Sequence, residues 1–386
     1  MKKTLLAAAL IVGFAGVAQA ETSVTMYGIL DTGYGYNQVK YSNHNVTAKN
    51  TNSGLRGDGV FNGNRWGVRG SEDLGNGLRA IFNLEAGFDI GNGNQGQSTD
   101  KLFSRQAWLG LASDNWGALT MGRQYSVATS TTYANNMGVS MGDMDKTFGG
   151  MGLGNRMDNS FKYMTPSFSG FQAGVAYGNS DTAVRNIETP AGGANTNVRS
   201  NWLSTGLKYA NGPINVAANY DRASQVDNPV ALGGGDKAVT NWAISGSYDF
   251  EVVKLALAYG QDRHGKLGWG NPVGTGDVRT AAIAAIAAAG GTMNSNDFKS
   301  SNYYVGLSAP VGTGTLAATW NRSDSNLDDA DKWGDNAKAQ NIYHLNYQYP
   351  LSKRTKVYAY GSYGTGIYYI DGLKATEAGI GLNHQF

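Results

Sequence analysis

Residues 377–386 read Glu377-Ala378-Gly379-Ile380-Gly381-Leu382-Asn383-His384-Gln385-Phe386. Successive side chains of a strand point to opposite faces, so Ala378, Ile380, Leu382, His384 and Phe386 share one face, and Glu377, Gly379, Gly381, Asn383 and Gln385 the other. An apolar face backed by a polar or small one over about ten residues is the length and pattern of a strand that crosses a bilayer at a tilt. The same alternation sets Leu78, Ala80, Phe82, Leu84, Ala86 and Phe88 against Arg79, Asn83, Glu85 and Asp89. It recurs in Trp242, Ile244, Gly246, Tyr248 and Phe250 against Asn241, Ser245, Ser247 and Asp249.

The connections between such segments alternate in length. Short ones span Asp73 to Gly77, Asp114 to Gly117, Pro166 to Gly170, Asn211-Gly212 and Leu351 to Arg354, with further turns near Glu251 and Val311. Long ones fall near 37–64, 91–101, 127–155, 179–199, 223–237, 264–298, 324–338 and 366–374. Seven short and eight long connections join sixteen strands. Sixteen antiparallel strands with turns at one end and loops at the other predict an all-β, closed transmembrane barrel, because lipid tolerates no open sheet edge. A soluble sandwich would also alternate, but it would not set Trp116, Tyr163, Tyr209, Phe250, Tyr349 and Phe386 beside the turns and the chain end, as an interfacial aromatic girdle does. A barrel of this size encloses water rather than packed side chains.

Composition agrees. Of 386 residues, 55 are Gly, 22 Tyr and none Cys, and only 16% are charged, well below the roughly 25% of a soluble domain. Lys2 and Lys3, the apolar run from Leu5 to Val17 and Ala18-Gln19-Ala20 predict a cleaved secretory signal peptide over 1–20 and a mature barrel over 21–386; an anchor helix would need about 20 apolar residues. Without the leader's two lysines, 29 bases balance 29 acids, so nothing calls for nucleic acid as a partner. An exported chain without cysteine must be held by other means, such as one large hydrogen-bonded sheet.

From Val24 to Phe386 the sequence resembles the general trimeric porins of Gram-negative outer membranes, in particular the beta-proteobacterial branch. The resemblance rests on Val24-Thr25-Met26-Tyr27-Gly28, the run from Arg65 to Leu78, Arg105-Gln106-Ala107-Trp108-Leu109-Gly110-Leu111, Gly122-Arg123, Tyr163-Met164-Thr165-Pro166, Leu351-Ser352-Lys353-Arg354-Thr355 and Phe386. It implies a homotrimer of sixteen-stranded barrels for small hydrophilic solutes and ions, set among outer-membrane lipid and lipopolysaccharide. It further implies a terminal aromatic read by the barrel assembly machinery. The third long loop, Val127 to Asn155, would fold inward as a constriction carrying Asp143 and Asp145; from its residues alone it reads equally well as a solvated surface loop.

Few fixed charges at a narrow wet aperture outweigh net charge in setting permeability. By strand parity Arg65, Arg156, Glu85 and Asp31 point inward. Simple alternation sends Arg105 and Arg123 to lipid, where an arginine at mid-membrane costs about 2 to 4 kcal/mol, so a bulge near Gly122 is the better reading; an interfacial snorkelling role is the alternative. The family pattern places basic residues of the aperture at both positions. The pore constriction is therefore expected at Arg65, Arg105, Arg123, Arg156, Asp143, Asp145 and Glu85, with a weak lean towards anions. Rival functions are a substrate-preferring anion channel and a plugged barrel that displays adhesive loops.

Enzyme chemistry, cofactors and metals find little footing. His44, His264, His344 and His384 include no pair with metal-ligand spacing, and a lipase would need Ser and His on the lipid-facing wall, where only His384 qualifies. The Asp324, Asp328, Asp329 and Asp331 cluster reads as a solvated charge run rather than a divalent-ion site. Asp277 and the alanine-rich 279–289 predict a short helix packed on the barrel mouth.

Overall fold

The structure, a computed structural model, describes residues 22–43, 45–96, 101–148, 154–187, 194–224, 237–264, 278, 281, 282, 284, 297–329 and 332–386, with the side chains of 180–200 excepted. The expected leader, residues 1–20, lies outside the described residues.

The strands are β1 (Ser23–Asn43), β2 (Val46–Leu55), β3 (Arg65–Gly75), β4 (Leu78–Gly87), β5 (Gln106–Ser113), β6 (Gly117–Tyr125), β7 (Arg156–Met164), β8 (Phe171–Ile187) and β9 (Ala194–Asn211). They continue as β10 (Ile214–Ala223), β11 (Val239–Asp249), β12 (Lys254–Arg263), β13 (Lys299–Val311), β14 (Gly314–Ser325), β15 (Gln340–Pro350), β16 (Thr355–Thr365) and β17 (Leu373–Gln385). All pair antiparallel with their neighbours, and β17 returns to β1, from Ile29 opposite Gln385 to Tyr41 opposite Leu373. The ring is closed, so no open sheet edge meets lipid.

Seventeen strands make sixteen staves, because the long β1 pairs β3 along its first part (Ser23 to Ile29) and β2 along its last (Tyr34 to Asn43). This corrects the expectation of a loop over 37–64, much of which is hairpin. Alternation persists there, but with its sense inverted: Val39 and Tyr41 are buried inward while Lys40 is exposed, since above the membrane the outer solvent is water. Likewise β8 and β9 run on to Ile187 and from Ala194, through much of the expected loop over 179–199.

Within the membrane the alternation holds with apolar residues outward. Ile380 is 65% exposed and Leu382 44%, while Glu377 and Asn383 of the same strand are buried. On β11, Ile244 is 53% exposed between the buried Ala243 and Ser245. The exposed rings of Trp116, Phe250, Tyr349 and Phe386 lie at the turn end; Phe171 packs on Tyr209 (centroids 4.6 Å) and Tyr248 on Phe250 (4.5 Å). Lipid replaces water as the apolar solvent outside, so such exposure has no hydrophobic cost.

The connection from β6 to β7 enters the lumen. Its short helix Val127–Thr131 is capped by Ser126, and the Val127 amide donates to Ser204 Oγ on β9 (3.0 Å). Thr132 then bonds Asn219 (2.8 Å), Asn135 bonds Ser245 (2.8 Å), and the Met137 amide donates to Tyr304 Oη (2.7 Å), so the loop crosses β9, β10, β11 and β13 in turn. Its tip docks on β14 and β17: Gly142 O accepts from Thr319 and Asn321 (both 3.0 Å), and Glu377 accepts from Ser140 Oγ (2.8 Å) and the Met141 amide (3.0 Å). Gly142 is pressed so close to His344 that a Cβ there would fall 2.2 Å from the imidazole ring.

At the extracellular mouth, Met141 of this loop joins Val39, Tyr41, Leu327, Trp333 and Ile370 in a buried apolar cluster. Val278 and Ala282, helical among the described residues of the alanine-rich segment, are buried in the same cluster. That helix therefore packs into a core shared by several loops; Asp277 and most of 279–289 lie outside the described residues.

Candidate functional site

Opposite the loop's seat, β3 to β7 carry a wall of cations. Arg65 and Arg156 reach the lumen by strand parity, Arg105 and Arg123 by local irregularities. Arg65 opens β3, and its Nε donates to Gly63 O (2.9 Å). Arg105 precedes β5, so strand parity does not govern it; it is buried, and its Nε donates to Glu85 Oε1 at 2.7 Å. Arg123 follows Gly122, where the β6–β7 register slips and the backbone takes φ +134°, open to glycine because it lacks a Cβ. The slip brings Arg123 inside, donating to Ser104 O (2.8 Å) and to Asp158. Both arginines that alternation sends to lipid are thus in the lumen. Arg156 opens β7, donates to Tyr125 Oη, and lies 4.3 Å from that ring's centroid.

Tyr125 and Glu85 join these groups. Tyr125 Oη also accepts from Arg105 Nη2 (2.8 Å), and Glu85 Oε2 accepts from Tyr27 Oη (2.9 Å). Holding guanidinium groups through shared acceptors fixes their positions, which preorganises the charge. Sequence reasoning left out Lys101, Lys162, Asp158, Tyr27 and Tyr125 from the set. Lys162 Nζ donates to Tyr125 O (3.1 Å), and Lys101 Nζ to Asp158 Oδ2 (2.6 Å). Parity marks Asp158 and Lys162 on β7 and Tyr27 on β1 as inward; Lys101 and Tyr125 carry no comparable signal.

Asp143 and Asp145 are bound first within their own loop. Asp143 accepts from Tyr133 Oη and from the Asp145 amide (3.1 Å), and Lys146 pairs Asp145 at 3.0 Å. Asp145 also lies against Gly154, two residues before Arg156. Burial, with Asp145 beside it, pushes Asp143 up to about 7. Burial works against the Lys146 ammonium, but Asp145 and Asp143 outweigh it and hold its pKa above the usual lysine value.

Asp31 is no part of this site: it anchors 60–64, accepting from the amides of Val60 (2.9 Å) and Asn62 (3.1 Å), from Tyr358 and from Asn383. In the acidic seventh long loop Asp324 pairs Arg322 (2.9 Å) and Asp329 pairs Lys332, while Asp328 has no ion pair among the described residues and Asp331 lies outside them.

A closed sixteen-stave transmembrane barrel with a loop folded across its lumen is the architecture of an outer-membrane channel protein. The sequence model described as the Gram-negative porin family matches residues 7–366, and the chain belongs to that family. It is 42% identical to an outer membrane porin protein of Bordetella pertussis and 30% identical to outer membrane porin protein 32 of Delftia acidovorans, in both cases over the whole of each chain. Its fold matches that of an anion-selective porin from Comamonas acidovorans with a TM-score of 0.66, covering 95% of this chain and 100% of the other at 22% identity. The protein is an outer-membrane porin, a multi-pass β-barrel forming a channel.

Proposed function

We propose that this porin passes ions and small hydrophilic solutes by passive diffusion, with a weak preference for anions set where the third long loop narrows the lumen. The residues assigned to that constriction are Arg65, Arg105, Arg123, Arg156 and Glu85 on the wall and Asp143 and Asp145 on the loop, to which Lys101, Lys162, Asp158 and Lys146 are added. The observation that carries the reading is the charge count: seven cations against four carboxylates, a net of three positive charges. Focused by a low-dielectric wall, such an excess raises the local concentration of anions. The name of the Comamonas porin points the same way.

The remaining assignments follow from the family: a homotrimer embedded among lipid and lipopolysaccharide, residues 1–20 removed on export, Phe386 read by the assembly machinery, and transport without catalysis. The test is current through the detergent-purified, refolded protein in a planar bilayer under a KCl gradient. Conductance steps in threes with an anion-favouring zero-current potential support the reading. Folded barrels without current would overturn it in favour of a plugged barrel displaying its loops, and a cation-favouring potential would overturn the charge count.

A further inference from the structure

The outward face of β10 to β13 carries an arrangement that the channel does not use. In the row where Val216, Gly246, Leu257, Val305 and Trp320 stand side by side, Gly246 leaves a dent in the lipid-facing wall. Nothing approaches its missing Cβ within 3.6 Å, and the resulting apolar groove measures about 520 Å³. Above it, towards the extracellular end, Trp242, Tyr259 and Tyr303 stack edge to face and tilted, with centroids 5.5 and 5.1 Å apart.

Above the rings runs a row of cations in register: Arg222 opposite Thr240, Thr240 opposite Arg263, Arg263 opposite Lys299. Arg222, Arg263 and Lys299 are exposed. Like charges directly opposite on neighbouring strands destabilise a sheet, so the row calls for an anion. Most neighbouring acids have cations of their own: Asp297 pairs Lys237 (3.5 Å), Asp324 pairs Arg322 and Asp329 pairs Lys332, while Asp328 lines a cavity beside Lys299 without an ion pair among the described residues. Among the described residues no ion pair engages Arg222, Arg263 or Lys299; Arg263 donates only to Gln261 (3.4 Å).

Depth decides what kind of anion. Thr240 stands about ten residues above Phe250 of the turn-side girdle, which at about 3.3 Å per residue and a tilt near 40° is about 25 Å, the height of the apolar band of such barrels. The cations therefore lie at the level of the outer-leaflet headgroups, and the groove at the level of the acyl chains. We infer that this face binds one phosphorylated lipid of the outer leaflet, with its phosphate on Arg222, Arg263 and Lys299 and an acyl chain in the groove at Gly246. The inference rests on the outer-membrane location of the porin but not on its ion selectivity.

The test uses porin reconstituted in vesicles containing bis-phosphorylated lipid A, then released for native mass spectrometry. The expected result is one retained lipid A per protomer, retention lowered at least tenfold by the triple variant Arg222→Gln, Arg263→Gln, Lys299→Gln, and lowered likewise by Gly246→Leu. The pair Lys40→Gln, Lys374→Gln alters another outward cation row, and should leave retention intact. Single-channel conductance unchanged in every variant shows that each barrel is folded and keeps the porin reading separate. Equal retention by wild type and the triple variant, equal retention of dephosphorylated lipid A, or equal loss in the Lys40 and Lys374 pair would each overturn the site.

Discussion

Replacing Arg65 and Arg123 by glutamate removes two positive charges and adds two negative ones, taking the local count from three positive to one negative. At about 8 Å in water two unit charges interact by about 0.5 kcal/mol, and a Debye length of about 10 Å at 0.1 M salt reduces that to about 0.2 kcal/mol. Three such charges give about 0.7 kcal/mol, which enriches anions and depletes cations by about threefold each, a chloride-over-potassium ratio of order ten. One net negative charge instead gives a ratio of about one half, so the zero-current potential in a KCl gradient should change sign. At 1 M salt, where the Debye length is about 3 Å, the wild-type ratio should fall close to one. The assay is the zero-current potential of purified porin in planar bilayers at both salt levels. A double variant that keeps the wild-type sign at 0.1 M, while still giving porin-sized conductance, would show that these arginines do not line the narrow part of the channel.

Three further outcomes follow from the geometry. Lowering the pH from 8 to 6 should protonate Asp143, whose burial beside Asp145 holds its pKa well above the usual carboxylate range, so that its negative charge is lost as pH falls; chloride preference should rise, and Asp143→Asn should reduce the step. Arg105→Ala leaves the buried Glu85 without its ion pair and should cost about 3 to 5 kcal/mol of stability, read as a lower urea midpoint for unfolding, whereas Arg105→Ala with Glu85→Gln should recover part of it. Gly142→Val drives a side chain into the His344 ring and should lift the loop tip off Thr319, Asn321 and Glu377; single-channel recordings should show a changed conductance with increased current noise, and a trace indistinguishable from wild type would mean the tip does not set the aperture.

The strand count and the side of the sheet that meets lipid were legible because a membrane enforces them residue by residue. A two-residue period leaves no freedom along Ala378 to Phe386, and a closed barrel requires that each strand obey it. Where the membrane stops, the rule stops. Val39 and Tyr41 alternate as regularly as Ile380 and Leu382, yet point inward to a loop core, and a reader of sequence has only the polarity of Lys40 to suggest it.

The cation wall was legible in part for a related reason. Arg156 and Asp158 follow parity, and Arg123 betrayed its bulge because lipid penalises the alternative and Gly122 stood beside it. Tyr125 and Lys101 gave no such sign: their place depends on where β6 ends and on how the chain from 101 to 105 approaches Asp158 and Glu85, which are distant in sequence. The sequence by itself thus determined the barrel, its size, its lipid face and the lumen charges that obey strand parity, since those follow from local periodicity in a slab of fixed thickness. Only the tertiary structure decided how the third long loop is seated, that Asp143 turns to Tyr133, and that Arg222, Arg263 and Lys299 stand in one row above a groove, because each joins residues through strand register and closure rather than through spacing along the chain.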